Sequence, residues 1–123
     1  MPTNQETFEI VAKHLITQGK VSLDRTGIAC AYRGNGGTKC AIGCLIPDED
    51  YSHLFEGFSI QTYKYATFDG AINISTLMQE LGYDLMLLKS LQGVHDNNPC
   101  SDWSDALRSV ASRFGLNTRV LDA

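Results

Sequence analysis

Apolar residues recur at helical spacing near the start of the chain, where Phe8, Val11, Ala12, Leu15 and Ile16 share one face and Glu9, Lys13 and Gln18 lie opposite. Thr3-Asn4-Gln5-Glu6 has the pattern of a capping box, and Gly19 stands where a left-handed residue would close the helix. From Val21 to Gly37 the period changes to two: Ile28, Cys30 and Tyr32 alternate with Ala29, Ala31 and Arg33, and Gly34-Asn35-Gly36-Gly37 follows. Alternation that runs into glycine and asparagine predicts a β-hairpin, with Thr38 to Ala41 beginning the return strand. Cys40 to Ile46 is apolar and rich in small residues, so a continuing strand and a buried helical turn fit it equally.

Pro47 followed by Asp48, Glu49 and Asp50 suits the first turn of a short helix through Leu54. Phe55 to Gly70 has no dominant period and reads as a mobile connector carrying Tyr63, Tyr65 and Phe68, long enough to hold function. Helical patterning resumes from Ile74 to Leu81, stops at Gly82, restarts after Asp84 with Leu85, Leu88 and Leu91, and stops at Gly93. The last helix takes Asn98 as cap and Pro99 as first residue, with Trp103, Ala106, Leu107, Val110, Ala111 and Phe114 on one stripe before Gly115. The tail docks through Leu116 and Val120. The expectation is a single α+β domain over residues 1–123, mainly helical, with one β-hairpin packed on a helical layer.

Composition narrows the function classes. Hydrophobic residues make up 43% of 123 and charged residues 20%, enough for one core without covalent staples. No basic leader and no apolar run of membrane length are present, so the chain reads as cytoplasmic, without a membrane partner. A reducing compartment makes the four cysteines packed thiols, ligands or nucleophiles rather than a disulfide frame. A net charge of −4 provides no field to hold duplex nucleic acid, although local cations can still grip a small phosphorylated molecule.

Three constellations carry candidate chemistry. Cys30, Cys40 and Cys44 follow C-x9-C-x3-C, with Cys100 and His95 elsewhere, but the spacing lacks zinc knuckles and small buried hydrophobes explain it better, so no metal or cofactor is expected. Cys40 at a strand-to-helix turn, with His95 as base and Asp96 as orienter, is a nucleophilic alternative. Gly34, Gly36 and Gly37 present backbone amides flanked by Arg33 and Lys39, an arrangement suited to phosphate, and Tyr32, Tyr63 or Tyr65 can stack on a base. A tight turn would select the same glycines. Asp48, Glu49 and Asp50 read as helix first-turn residues and His14 as a satisfied, partly buried histidine. Trp103 and Phe114 mark a core face whose functional alternative is pairing with a second copy as a homo-oligomer.

The run Cys30-Ala-Tyr-Arg-Gly34, then Gly37-Thr-Lys-Cys-Ala-Ile-Gly-Cys-Leu-Ile-Pro-Asp-Glu49 with Tyr51 and Glu56-Gly57, and later Leu91-Gln-Gly-Val-His-Asp96 with Pro99 and Trp103, resembles a group of short tailed-phage proteins. Lys39-Cys-Ala-Ile-Gly-Cys-Leu45 is also similar to a wider set of small bacterial proteins. Neither group has an established activity. The resemblance implies a viral accessory protein acting in the host cytoplasm and transfers no catalytic residues. Such proteins often counter host defence, which frames three functional expectations. The first is binding and sequestration of a small phosphorylated or nucleotide-like ligand, with Tyr32, Arg33, Gly34, Gly36, Gly37, Lys39, Tyr63 and Tyr65 as its site. The second is a hydrolase built on Cys40, His95 and Asp96. The third is a protein-binding inhibitor of a host factor.

Overall fold

Residues 1–60 and 69–122 are described by the computed structural model, and Tyr63, Tyr65, Phe68 and the connector's middle lie outside them. Helix α1, Asn4–Gln18, opens as its sequence expects: the Thr3 hydroxyl accepts the Glu6 N–H at 3.0 Å, and the Glu6 carboxylate accepts the Thr3 N–H at 3.0 Å. It closes on Gly19 at φ 66°, whose N–H returns to the Leu15 carbonyl. Helix α2 spans Asp69–Glu80 and α3 spans Leu85–Asn97, capped by the Asp84 carboxylate on the Met86 and Leu87 amides. Gly93 lies inside α3 and does not end it, because the core contacts of Leu91 and Val94 outweigh its modest helix cost. Pro99 leads into a single 3-10 turn, Cys100–Asp102, and α4 then runs Trp103–Phe114 to a left-handed Gly115.

Helix α3 packs on α4, and α1 packs on both, while α2 leans on α3. Phe8, Val11 and Leu15 of α1 join Leu88 and Leu91 of α3 and Leu107 and Val110 of α4 in one buried cluster. Trp103 belongs to that core and is not a docking face. Among the described residues no helix is long and apolar enough to cross a membrane.

The expected hairpin is absent, and the fold is helical rather than α+β. Among the described residues there is no β-strand; pairing between Val21 and Ile60 is limited to isolated bridges, Leu23 with Cys30 and Arg33 with Lys39. Side chains have taken the backbone groups that a ladder needs. Gln18 accepts the Lys39 N–H at 2.9 Å, and His14 and Gln18 both donate to the Lys39 carbonyl. Glu56 accepts the N–H of Tyr32 at 2.8 Å and of Arg33 at 3.1 Å, and Gln92 accepts that of Ile42 at 3.0 Å. With buried amides already satisfied, extending the bridges into strands gains nothing. The alternation was misleading for the same reason: Ile28 is 85% exposed while Ala31 is buried.

Short 3-10 turns carry the segment instead, at Gly43–Leu45, Asp48–Asp50 and His53–Phe55, the last two replacing the single helix expected through Leu54. Glycine permits the tightest contacts. A Cβ on Gly43 would lie 1.9 Å from the Tyr32 carbonyl oxygen, and one on Gly34 would lie 2.6 Å from that of Leu23. Gly43→Ala is therefore expected to destabilise the protein by about 3 kcal/mol or more through backbone overlap. Gly36→Ala, where φ is 68° and the space is open, should cost about 1 kcal/mol. Urea denaturation of the two variants measures the difference, and equal costs would contradict the close approach.

Candidate functional site

Two cavities meet where this irregular segment crosses α3. The larger, about 410 Å³, is lined by Arg25, Arg33, Gly34, Tyr51, His53 and Glu56 among others. The smaller, about 240 Å³, includes Tyr32, Cys40, Phe58, Gln92 and Asp96 in its lining. Ala29, Cys30, Ala31 and Gly57 border both and form a shared wall.

Arg33 dominates the larger cavity. Its guanidinium carbon lies 4.3 Å from the Tyr51 ring centroid, and Nη2 donates to the Asp48 carboxylate at 2.7 Å and to the Ile46 carbonyl at 3.4 Å. Among the described residues its Nε is the buried side-chain polar atom left without a partner. Glu56 fixes this wall from behind: besides the two backbone amides, it accepts the Tyr51 hydroxyl at 2.5 Å. Burial and the neighbouring Glu56 carboxylate push the Tyr51 phenol up to about 12, so it remains a neutral donor.

His95 governs the smaller cavity. The Ser22 N–H donates to Nε2 at 2.9 Å, which makes Nε2 an acceptor and puts the ring proton on Nδ1, where it donates to Asp96 Oδ1 at 2.7 Å. The ring is buried and stacks on Trp103 with centroids 5.5 Å apart. Gln92 Nε2 donates to the same Asp96 oxygen at 2.8 Å. Burial pushes the Asp96 carboxyl up, but the hydrogen bonds from His95, Gln92 and the Cys30 thiol prevail and hold it below the usual range, as a carboxylate.

The thiols occupy different environments. Burial drives the Cys40 thiol far above the ordinary range, although the Gly43 N–H approaches its sulfur at 3.3 Å. Cys44 is raised to about 12 by burial, and Cys30 to about 11 by burial and then by the Asp96 charge. Cys40 and Asp96 thus line one cavity, but the imidazole nitrogen that a thiol would need as base already binds a backbone amide. Burial and like charge here oppose the thiolate that a nucleophile requires.

The phosphate arrangement expected from sequence separates in space. Arg33 and Gly34 line the larger cavity; Lys39, Gly36 and Gly37 line neither. The Gly34 and Asn35 amides donate to Thr38 and Leu23 carbonyls. Tyr32 lines the smaller cavity with its hydroxyl on the Phe58 carbonyl, and Tyr63 and Tyr65 lie outside the described residues. Sequence reasoning missed Arg25, Tyr51, Glu56 and Gln92. Glu56 before Gly57, a left-handed residue at φ 84°, was the available signal; the others lie in stretches whose periodicity says nothing of what they face.

Metal-ligating atoms come together at Cys30, His95 and Asp96, mutually within 4.8 Å, rather than at the three clustered cysteines. With Nε2 on Ser22 and Nδ1–H on Asp96, His95 has no nitrogen lone pair to offer, leaving a thiol and a carboxylate. Comparison with protein-family models, curated proteins and solved structures finds no match, so the reading rests on this geometry.

Peptide mapping after alkylation with iodoacetamide measures the thiol environments. Because the folded Cys30 pKa lies near 11 against an ordinary 9.0, its thiolate fraction at pH 8 is about a hundredfold lower. Its labelling rate should keep rising past pH 9 and bend near 11, whereas Cys40 should label at the rate of unfolding. A bend below pH 9 at either thiol would contradict the assignment.

Proposed function

We propose that the chain binds a small phosphorylated or nucleotide-like ligand and holds it without turnover. One observation carries this reading: the Arg33 guanidinium on the wall of a 410 Å³ cavity, stacked on Tyr51 and with donor capacity to spare. That volume is within the ordinary range for small-molecule sites. The two hydrogen bonds from the Arg33 side chain both leave Nη2, so the guanidinium has N–H groups for an anion. Its partner Asp48 is 85% exposed, and such pairs contribute only about 0–1 kcal/mol, so a phosphate competes readily. Arg25 takes the role first expected of Lys39 as the second cation, and Tyr51 backs the Arg33 guanidinium.

Protonated thiols and an imidazole engaged on both nitrogens favour holding the ligand over hydrolysing it. Several residues carrying the resemblance to tailed-phage proteins, Cys30, Arg33, Tyr51, Glu56, Gly57 and Asp96, border the two cavities. The reading therefore extends to a phage accessory protein that sequesters a host nucleotide signal in the host cytoplasm.

Calorimetry of the full chain against a panel of nucleotides, with inorganic phosphate and pyrophosphate, tests the proposal. Saturable binding that Arg33→Ala weakens about tenfold or more is expected, since a charge-assisted hydrogen bond contributes about 1.5–3 kcal/mol. Lys39→Ala should leave affinity within about twofold, and ligand recovered after denaturation should be intact. Absence of binding across the panel, or affinity unchanged in Arg33→Ala, would overturn the proposal.

A further inference from the structure

The smaller cavity sets a carboxylate beside an oriented amide. Gln92 and Asp96 stand one turn apart on α3 and both line it. Because Gln92 Oε1 accepts the Ile42 N–H at 3.0 Å, the orientation of its amide is set: Nε2 donates to Asp96 and its other N–H is drawn toward the Cys40 sulfur, a weak acceptor that an entering carbonyl outcompetes. His95 and Gln92 both donate to Oδ1 of Asp96, and the Cys30 thiol is the further donor acting on that carboxylate. A thiol is a weak donor, so an entering N–H replaces it at little cost. Phe58 and Ala31 supply apolar wall, and the Asp96 side chain is 35% exposed, leaving it open to a ligand.

We infer, resting on the ligand-binding reading above, that this cavity is a base subsite selecting a purine with the edge of guanine. That edge presents a carbonyl acceptor beside two N–H donors. The second Gln92 N–H, exchanging the Cys40 sulfur for the carbonyl, matches that acceptor, and the Asp96 carboxylate matches the two donors. Adenine places a ring-nitrogen lone pair opposite the carboxylate, and the two repel. The shared wall of Cys30 and Gly57 lets one nucleotide put its base here and its phosphate in the Arg33 cavity. Selectivity comes from a fixed acceptor in a half-enclosed site, held by hydrogen bonds from a buried imidazole.

Calorimetry of the full chain with guanosine, inosine and adenosine monophosphates, and with inorganic pyrophosphate, tests the inference. Guanosine monophosphate should bind about ten- to a hundredfold more tightly than the adenosine nucleotide, with inosine between them. Asp96→Asn should remove most of that preference while leaving pyrophosphate affinity unchanged, which separates loss of base recognition from loss of fold. The comparison of bases on the unaltered protein stands even if the variant is unstable. Equal affinity for guanosine and adenosine nucleotides, or pyrophosphate binding without nucleotide binding, would overturn the base subsite and leave the anion site intact. A preference retained in Asp96→Asn would overturn the assignment to Asp96. Failure of every ligand would remove both readings.

Discussion

The buried His95 side chain is the constraint on which the site depends. One ring nitrogen accepts the Ser22 amide of the irregular segment, the other donates to Asp96 on its own helix, and the ring face lies on Trp103 at the start of α4. Two consecutive helices and a segment 73 positions away are thereby tied at one imidazole. The ring itself is buried, so loss of either partner leaves a buried ring nitrogen unsatisfied at about 1–3 kcal/mol. The residue that resembled a catalytic base thus supports the wall of the cavity and orients Asp96.

The same logic extends along Val21 to Ile60. A segment without strands must satisfy its inward backbone N–H and C=O groups by other means, and here helix-borne and loop-borne side chains do so: Gln18 and His14 from α1, Gln92 and His95 from α3, and Glu56 from within. Gly34 and Gly43 let neighbouring backbone come closer than a Cβ allows. The segment is consequently positioned by specific hydrogen bonds on a rigid helical base, which is how an irregular stretch comes to frame preorganised cavities.

Charged groups differ between the paired cavities. Arg25 and Arg33 border the larger together with the Asp24 and Glu56 carboxylates, Glu56 being occupied by Tyr51 and two amides, while Asp96 in the smaller is held ionised by its donors. Arginines on one side and a carboxylate without a cationic side chain on the other suit a ligand whose ends differ, one acidic and one rich in N–H donors. The thiols contribute packing, since burial keeps Cys40 and Cys44 protonated, and burial followed by the neighbouring Asp96 carboxylate does the same for Cys30.

Helix α1, the restart of helical structure after Asp84 and the end of α4 at Gly115 were legible in the chain, because capping and apolar periodicity depend on residues within a turn or two of each other. Arg33 and Asp96 were recognisable as chemistry, though not as partners in neighbouring cavities. The hairpin was misread because alternation reports only local preference, whereas the competition for the amides of Tyr32, Arg33 and Lys39 was decided by Glu56 and Gln18, 21 to 24 residues away. The role of His95 was equally hidden, since its decisive partner, Ser22, is 73 positions distant. Local order follows from nearest neighbours in sequence; which polar group each side chain satisfies follows from packing, and the packing made the site.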